Sequence, residues 1–241
     1  MTELLAQSDA YLREFDAVVV ETDPVERAVA LDRTAFYPGG GGQPHDLGLL
    51  SGLPVVRLQR RGDLAWHWLG AGGAGGAGPG LPAVGTRVHG VLDWERRYAL
   101  MRTHTAFHIL CGVVWRDYQA QVTGGNMEPL KGRMDFEFQT LHGDLVHEIE
   151  AKLAAEVAAA REVRVRHLPR AEAFRIPDLI RTKINLLPEG IAVVRTVEIE
   201  GLDLQADGGT HVANTREVGA VRVAGYKSKG RSNKRIELEL D

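Results

Sequence analysis

The 241-residue chain carries 29 basic and 32 acidic side chains for a net charge of −3, with 44% hydrophobic and 25% charged residues. These are ordinary globular proportions, which exclude disordered and fibrous classes and leave room for one large domain or two modest ones. Cys111 is the sole cysteine, so no intramolecular disulfide can form; with no signal-like N-terminus and no apolar run near the ~18 residues of a membrane span, the expected setting is the cytoplasm, away from any membrane.

In chain order, strand-like runs at residues 17–21, 29–32, 48–50, 54–60, 63–69 and 85–93 are broken by glycine and proline. Short strands at this spacing predict a small barrel. The low-complexity stretch 70–80, made only of Gly, Ala and Pro, reads as the long tip of a hairpin joining the last two of these strands. The spacing changes at Trp94. Leu100, Met101, Phe107, Ile109, Leu110, Val113 and Val114 predict a helix over 94–118, and Leu145, Ile149, Leu153 and Val157 a second over 143–161. Strands are predicted at 163–167, 191–199, 218–223 and 235–240. The expected fold class is α+β: a glycine-rich β-barrel domain over 1–93, then a domain over 94–241 with helices packed on an antiparallel sheet.

Three segments carry chemistry. In His104-Thr-Ala-Phe-His108 the imidazoles are four residues apart and share one helix face, close enough to hold one ion. Packing or surface histidines give the same spacing. The residue after His104 is Thr105 and not the glutamate general base of metallopeptidases, which disfavours a peptidase. In Asp207-Gly-Gly-Thr-His211, a turn at Gly208 and Gly209 can bring a carboxylate and an imidazole together, although a plain turn reads the same way. Three histidines and an aspartate make a zinc-compatible set. Cys111 lies about 10 Å along the helix from His104, too far to join the same ion, and reads as a buried apolar thiol. The third segment runs from Leu31 to Asp46 and contains Gly39 to Gly42 followed by Gln43. Its glycines allow close backbone approach to a ligand, and Gln43 can donate and accept hydrogen bonds.

Two basic groups stand out against the mildly acidic total. Arg96, Arg97 and Arg102 precede or overlap the first histidine pair, and Arg222, Lys227, Lys229, Arg231, Lys234 and Arg235 occur with no acidic residue between them. They read either as solvated surface or as patches that dock a polyanion.

Taken in order, residues 31–46, 93–108, 207–215 and the Lys229-Gly-Arg-Ser-Asn-Lys-Arg235 tail resemble the free-standing alanyl-tRNA editing proteins, the AlaX family, related to the editing domain of alanyl-tRNA synthetase. The resemblance implies a metal-dependent aminoacyl-tRNA deacylase. Its substrate would be alanine tRNA mischarged with serine or glycine, and its partner the acceptor end of that tRNA. It implies one zinc ion at His104, His108, Asp207 and His211. By the same match, Thr34 and Gln43 would contact the aminoacyl group or water, with Gly40, Gly41, Gly42, Arg102 and Thr210 against the substrate. This chain departs from the family at Asp207, where cysteine is usual. A hard carboxylate there weakens the expected hold on zinc and opens the identity of the metal. A tRNA-binding relative with a decayed metal site is the alternative. No nucleotide-binding glycine loop followed by Lys-Ser/Thr is present, so no ATP dependence is expected.

Overall fold

Alternating apolar and polar side chains lay out the early strands in the computed structural model, which describes residues 1–71, 80–182, 187 and 190–241. The chain forms two units, one from Met1–Gly40 and Pro44–Tyr98, the other from Gly41–Gln43 and Ala99–Asp241.

The first unit contains β1 (Glu3–Leu4), β2 (Glu14–Asp23), β3 (Ala28–Leu31), β4 (Arg33–Thr34), β5 (Gly48–Leu50), β6 (Leu53–Arg61), β7 (Leu64–Leu69) and β8 (Arg87–Leu92). Strands β1 and β4 make a short parallel pair. The other six pair antiparallel in a closed cycle, β2-β3-β7-β6-β5-β8 and back to β2. Phe15, Val19, Val29, Leu31, Leu50, Leu58, Leu69 and Leu92 belong to the larger of two apolar clusters on these strands, the other being Ala28, Ala30, Trp66 and Trp68. The expected hairpin between the last two strands is not formed: β7 is bonded to β3 and β6, and β8 to β5 and β2. Ring closure explains this, because β8 is the strand that satisfies both open edges. Residues 72–79 of the supposed tip lie outside the described residues.

The glycine-rich loop is fastened at its ends by a buried ion pair. Arg97 has no exposed surface; its Nε and Nη2 bind the Asp46 carboxylate, and its remaining donors reach the carbonyls of Ala10 at 2.9 Å and Ala35 at 2.6 Å. Asp46 also accepts the Tyr37 N–H at 2.5 Å, and its own N–H donates to the Tyr37 carbonyl at 3.0 Å. Arg97, expected in a surface patch, is therefore a core residue. Thr34, expected at the substrate, is likewise fully buried, with its hydroxyl 3.0 Å from His67 Nε2 and accepting the Phe36 N–H. That hydroxyl serves the interior of the first unit.

Helix α1 (Trp94–Tyr118) begins in the first unit and supplies the centre of the second. The second unit adds β9 (Val122–Glu128), β10 (Lys131–Glu137), α2 (Gly143–Ala158), β11 (Val163–Pro169), α3 (Arg170–Ala173), β12 (Val193–Ile199), β13 (Asp203–Ala206), β14 (Val221–Ser228) and β15 (Asn233–Leu240). They form two antiparallel sheets, β14-β15-β10-β9 and β11-β12-β13, so the α+β class holds. The β9–β10 hairpin was not expected, because Gly124, Gly125 and Gly132 interrupt its alternation. At Gly132 a Cβ would lie 2.8 Å from Asn126 O and closer still to the Phe107 ring of α1. A strand predicted from 218 instead starts at Val221, behind a 3₁₀ turn at Thr215–Val218 closed by an Asn214–Glu217 capping box.

Burial pushes His67 from its ordinary value down to about 4, against the opposing effect of its carbonyl partners Val29 and Ala65. The unfolded chain takes up the proton first, so this group's stabilisation is complete above pH 6.5 and is lost as pH falls from 6.5 towards 4. The full loss is about 3 kcal/mol. Denaturant unfolding at pH 7 and pH 4.5 should show this component in the native chain and its absence in His67→Gln; equal slopes in both would refute it.

Candidate metal centre

From Thr103 to Val114 every residue of α1 is buried. Such a helix is packed on all sides, and any polar side chain it carries needs an internal partner. His104 and His108 are the imidazoles held there, each about 5% exposed, with ring centroids 5.2 Å apart. The loop after β13 returns Asp207 and His211 to the same place. The His211 ring lies 4.3 Å from that of His104 and 4.6 Å from that of His108. Asp207 Oδ2 is 3.5 Å from His104 Nε2 and 3.9 Å from His108 Nε2, and Oδ1 is 3.0 Å from His211 Nε2. One donor atom from each of the four residues lies within 4.8 Å of all the others. Donors around a tetrahedral ion at zinc distances are about 3.4 Å apart, so the set could hold a metal ion.

Each ring also has a neighbour at its Nδ1. His104 Nδ1 is 2.8 Å from Gln43 Oε1, His108 Nδ1 is 3.1 Å from Asp203 Oδ2, and His211 Nδ1 is 3.4 Å from Thr105 Oγ1. Metal-binding histidines are oriented in this way, through the nitrogen that does not ligate. Gln43 does more than hold His104. Its Oε1 accepts the Thr210 N–H at 3.1 Å and its Nε2 donates to Thr210 Oγ1 at 2.8 Å, so one amide ties α1 to the Asp207–His211 loop. Asp203 and Thr105 were not singled out by sequence; the signal at Asp203 was its position four residues before Asp207, at the start of the strand that leads into the site.

Electrostatics favours the deprotonated form for three of the four donors, Asp207, His104 and His211. Burial would raise the Asp207 carboxyl, but His104, His108 and His211 hold it well below the usual carboxylate range. Burial brings His104 to about 4 and takes His211 well below its ordinary value, where His104 and His108 depress it further. Burial acts on His108 too, but the carboxylates of Asp203 and Asp207 prevail and raise it to about 9. An ionised carboxylate beside two neutral imidazoles matches what a metal requires of its ligands. Cys111 is buried against Met134, its thiol pushed up by desolvation, and stands apart from the donor set as expected.

The remaining expected site residues fall into two groups. Gln43 and Thr210 are in the centre, but both are buried, Thr210 fully. Gly41 is exposed and a Cβ on it would meet nothing within 4 Å, whereas one on Gly42 would approach Gly125 O to 3.1 Å. Gly40 belongs to the first unit, where its carbonyl accepts from the Tyr37 hydroxyl at 3.2 Å. Arg102 is turned away to structural work, donating to the Val218 carbonyl at 2.8 and 3.0 Å and to that of Asp241. The basic tail is also largely neutralised internally. Arg222 pairs with Glu239, Lys227 with Glu237 at 3.2 Å, and Arg235 and Lys229 with Asp135 at 2.7 and 3.6 Å. Lys234 is buried among the Gly230 and Arg231 carbonyls and the Ser228 hydroxyl.

Gly208 and Gly209 fold Asp207 and His211 together as expected, but neither is among the glycines with positive φ, so a left-handed backbone is not what requires glycine there. A Cβ on Gly209 would sit 2.7 Å from Gln43 Oε1 and closer still to the His104 ring. The glycine permits contact. Gly209→Ala should therefore cost about 1–3 kcal/mol as an overpacked site, measured by denaturation, and should lower metal uptake; a variant with native stability and native uptake would contradict this.

Residues 194–237, which include Asp207 and His211, match the family model described as threonyl and alanyl tRNA synthetase second additional domain. The chain is 37% identical to the alanyl-tRNA editing protein AlaX-M of Methanosarcina acetivorans, covering all of this chain and 99% of that protein. It is 35% identical to the AlaX-M of Saccharolobus solfataricus over 98% of both. It is also 36% identical to the alanine–tRNA ligase of Ignicoccus hospitalis over 92% of this chain, matching 24% of that enzyme.

Proposed function

Because the chain belongs to the AlaX family of alanyl-tRNA editing proteins, we propose that it is a zinc-dependent deacylase that removes serine or glycine from the acceptor end of alanine tRNA. The observation that carries this reading is the convergence of His104, His108, Asp207 and His211 with every ring backed at Nδ1. Synthetase pockets separate small side chains poorly, so a second hydrolytic site is the physical remedy for such errors.

The donor types fit zinc, which accepts imidazole nitrogen and carboxylate oxygen. When bound, a divalent ion supplies positive charge that polarises a water or the ester. The side chains do the rest. Asp207, with 16% of its side chain exposed, is the accessible member of the four. The exposed backbones of Gly41 and Gly208 mark the open side of the second unit's site, and we place the aminoacyl ester there. Gln43 and Thr210 act from behind: their mutual hydrogen bonds lock His104 and the Asp207–His211 loop, so the ester meets a preorganised site. An aminoacyl ester is already activated, and positioning with charge stabilisation suffices to hydrolyse it. We further read the six-stranded cycle of the first unit as the small barrel that precedes the editing domain, and the cytoplasm as the place of action.

Release of serine and glycine from the corresponding alanine-specific tRNAs should be rapid with stoichiometric zinc and lost in chelator. Binding of tRNA with neither metal nor turnover would overturn the reading in favour of a non-catalytic relative with a decayed metal site. Elemental analysis should find less zinc per chain in Asp207→Ala and an unchanged content in Cys111→Ala; unaltered zinc in the aspartate variant would remove Asp207 from the ligand set.

A further inference from the structure

Among the three rings of the centre, His108 alone is backed by a carboxylate. Asp203 has no exposed side-chain surface, and its Oδ2 stands 3.1 Å from His108 Nδ1. Gln205 Nε2 donates to the same oxygen at 2.6 Å. The other oxygen, Oδ1, faces Arg181 Nε at 3.6 Å, and the Arg181 guanidinium lies 4.8 Å above the Trp115 ring. These groups form a file running along α1 from His108 to Trp115, two turns further on.

The file is close but unfinished. His108 Nδ1, Asp203 Oδ1 and Arg181 Nε are all buried without an aligned hydrogen bond. A buried ion pair kept for stability alone would be expected to close its hydrogen bonds, since orphaned polar groups in the interior cost free energy. Here the atoms are within reach and out of line, so a small rotation of the His108 ring aligns Nδ1–H with Oδ2 while its Nε2 lone pair stays on the side of Asp207. Packing restricts the alternatives: a Cβ on Gly112, one turn beyond His108, would lie 3.1 Å from Asp203 Cβ, so α1 and β13 are already in close contact.

We propose that Asp203 is a positioning residue of the metal centre. It accepts the Nδ1 proton of His108, fixes the tautomer whose Nε2 is free to ligate, and is itself held by the Arg181 cation and the Gln205 amide. A carboxylate behind a ligating imidazole also makes that imidazole a stronger donor. This offsets part of what the site lacks by presenting a hard carboxylate at position 207 in place of a softer donor.

The inference rests on reading the four residues as a metal centre, and its test uses zinc alone, without tRNA. Competition against a chromophoric chelator should show zinc affinity falling about 10- to 100-fold in Asp203→Asn, with the cobalt-loaded form shifting its visible absorption. A folded Asp203→Asn with affinity within twofold of the native chain would overturn the proposal. Because the substitution leaves Arg181 with only the Asp178 carboxylate at 3.7 Å, the same titration is made on Asp203→Asn/Arg181→Met, which removes the cation as well and is expected to lose affinity to the same extent. Imidazole ¹⁵N spectra of the unmodified zinc-loaded chain give a readout that needs no variant: His108 should carry its proton on Nδ1. A proton on Nε2 would overturn the assignment of Asp203 while leaving the metal centre standing, whereas a native chain that takes up no zinc would overturn both.

Discussion

Two imidazoles on a helix buried all round set the terms for the second unit. A histidine in such a place loses its water and must find hydrogen-bond partners inside the protein. His104 finds one on Gln43, and carboxylates from two further pieces of chain, the Asp207–His211 loop and Asp203 at the start of β13, lie against the two rings. Each piece then has its own demand. Gln43 needs acceptors and donors on Thr210, the loop needs a side chain of no size at Gly209, and Asp203 needs a cation nearby. The geometry of the centre follows from satisfying one buried helix.

Charge is handled by the same economy of internal partners. The clusters that suggest an electropositive surface in one dimension are mostly matched in three. Glu237 and Glu239 alternate with Ile236 and Leu238 on β15 and meet Lys227 and Arg222 across the β14–β15 ladder. Asp135 on β10 gathers Arg133, Lys229 and Arg235. With those charges committed, the tail of this chain of net charge −3 is not a block of unpaired cations.

Much of this was legible in the primary structure, and the exceptions have physical causes. The bounds of α1 and β5 agree with the residue pattern to the residue, because α1 is long with closely spaced apolar residues through its middle and β5 lies between Gly48 and Gly52. The four donor residues were legible as two spacings, each ambiguous alone. What could not be read was anything that depends on a partner distant in the chain. Arg97 looks like surface until Asp46, Ala10 and Ala35 are seen around it. Thr34 and Arg102 look like substrate contacts until His67 and the Val218 carbonyl claim them. Asp203 has no motif at all; its meaning comes from register and from the ring of His108. The β9–β10 hairpin escaped because Gly124, Gly125 and Gly132, the last of which lets α1 approach, erase the alternation that announces a strand.

The membership of Gly41–Gln43 in the second unit has a consequence for inheritance. The amide that organises the His104 side of the centre is encoded 61 codons upstream of the histidine it serves, inside the segment that encodes the other unit. A gene fragment that starts at residue 99 would carry all four candidate donors and still lack Gln43. Recombination that shuffles domains at contiguous boundaries would separate them, so the two units are bound to travel through evolution as one exchangeable piece of roughly the whole chain.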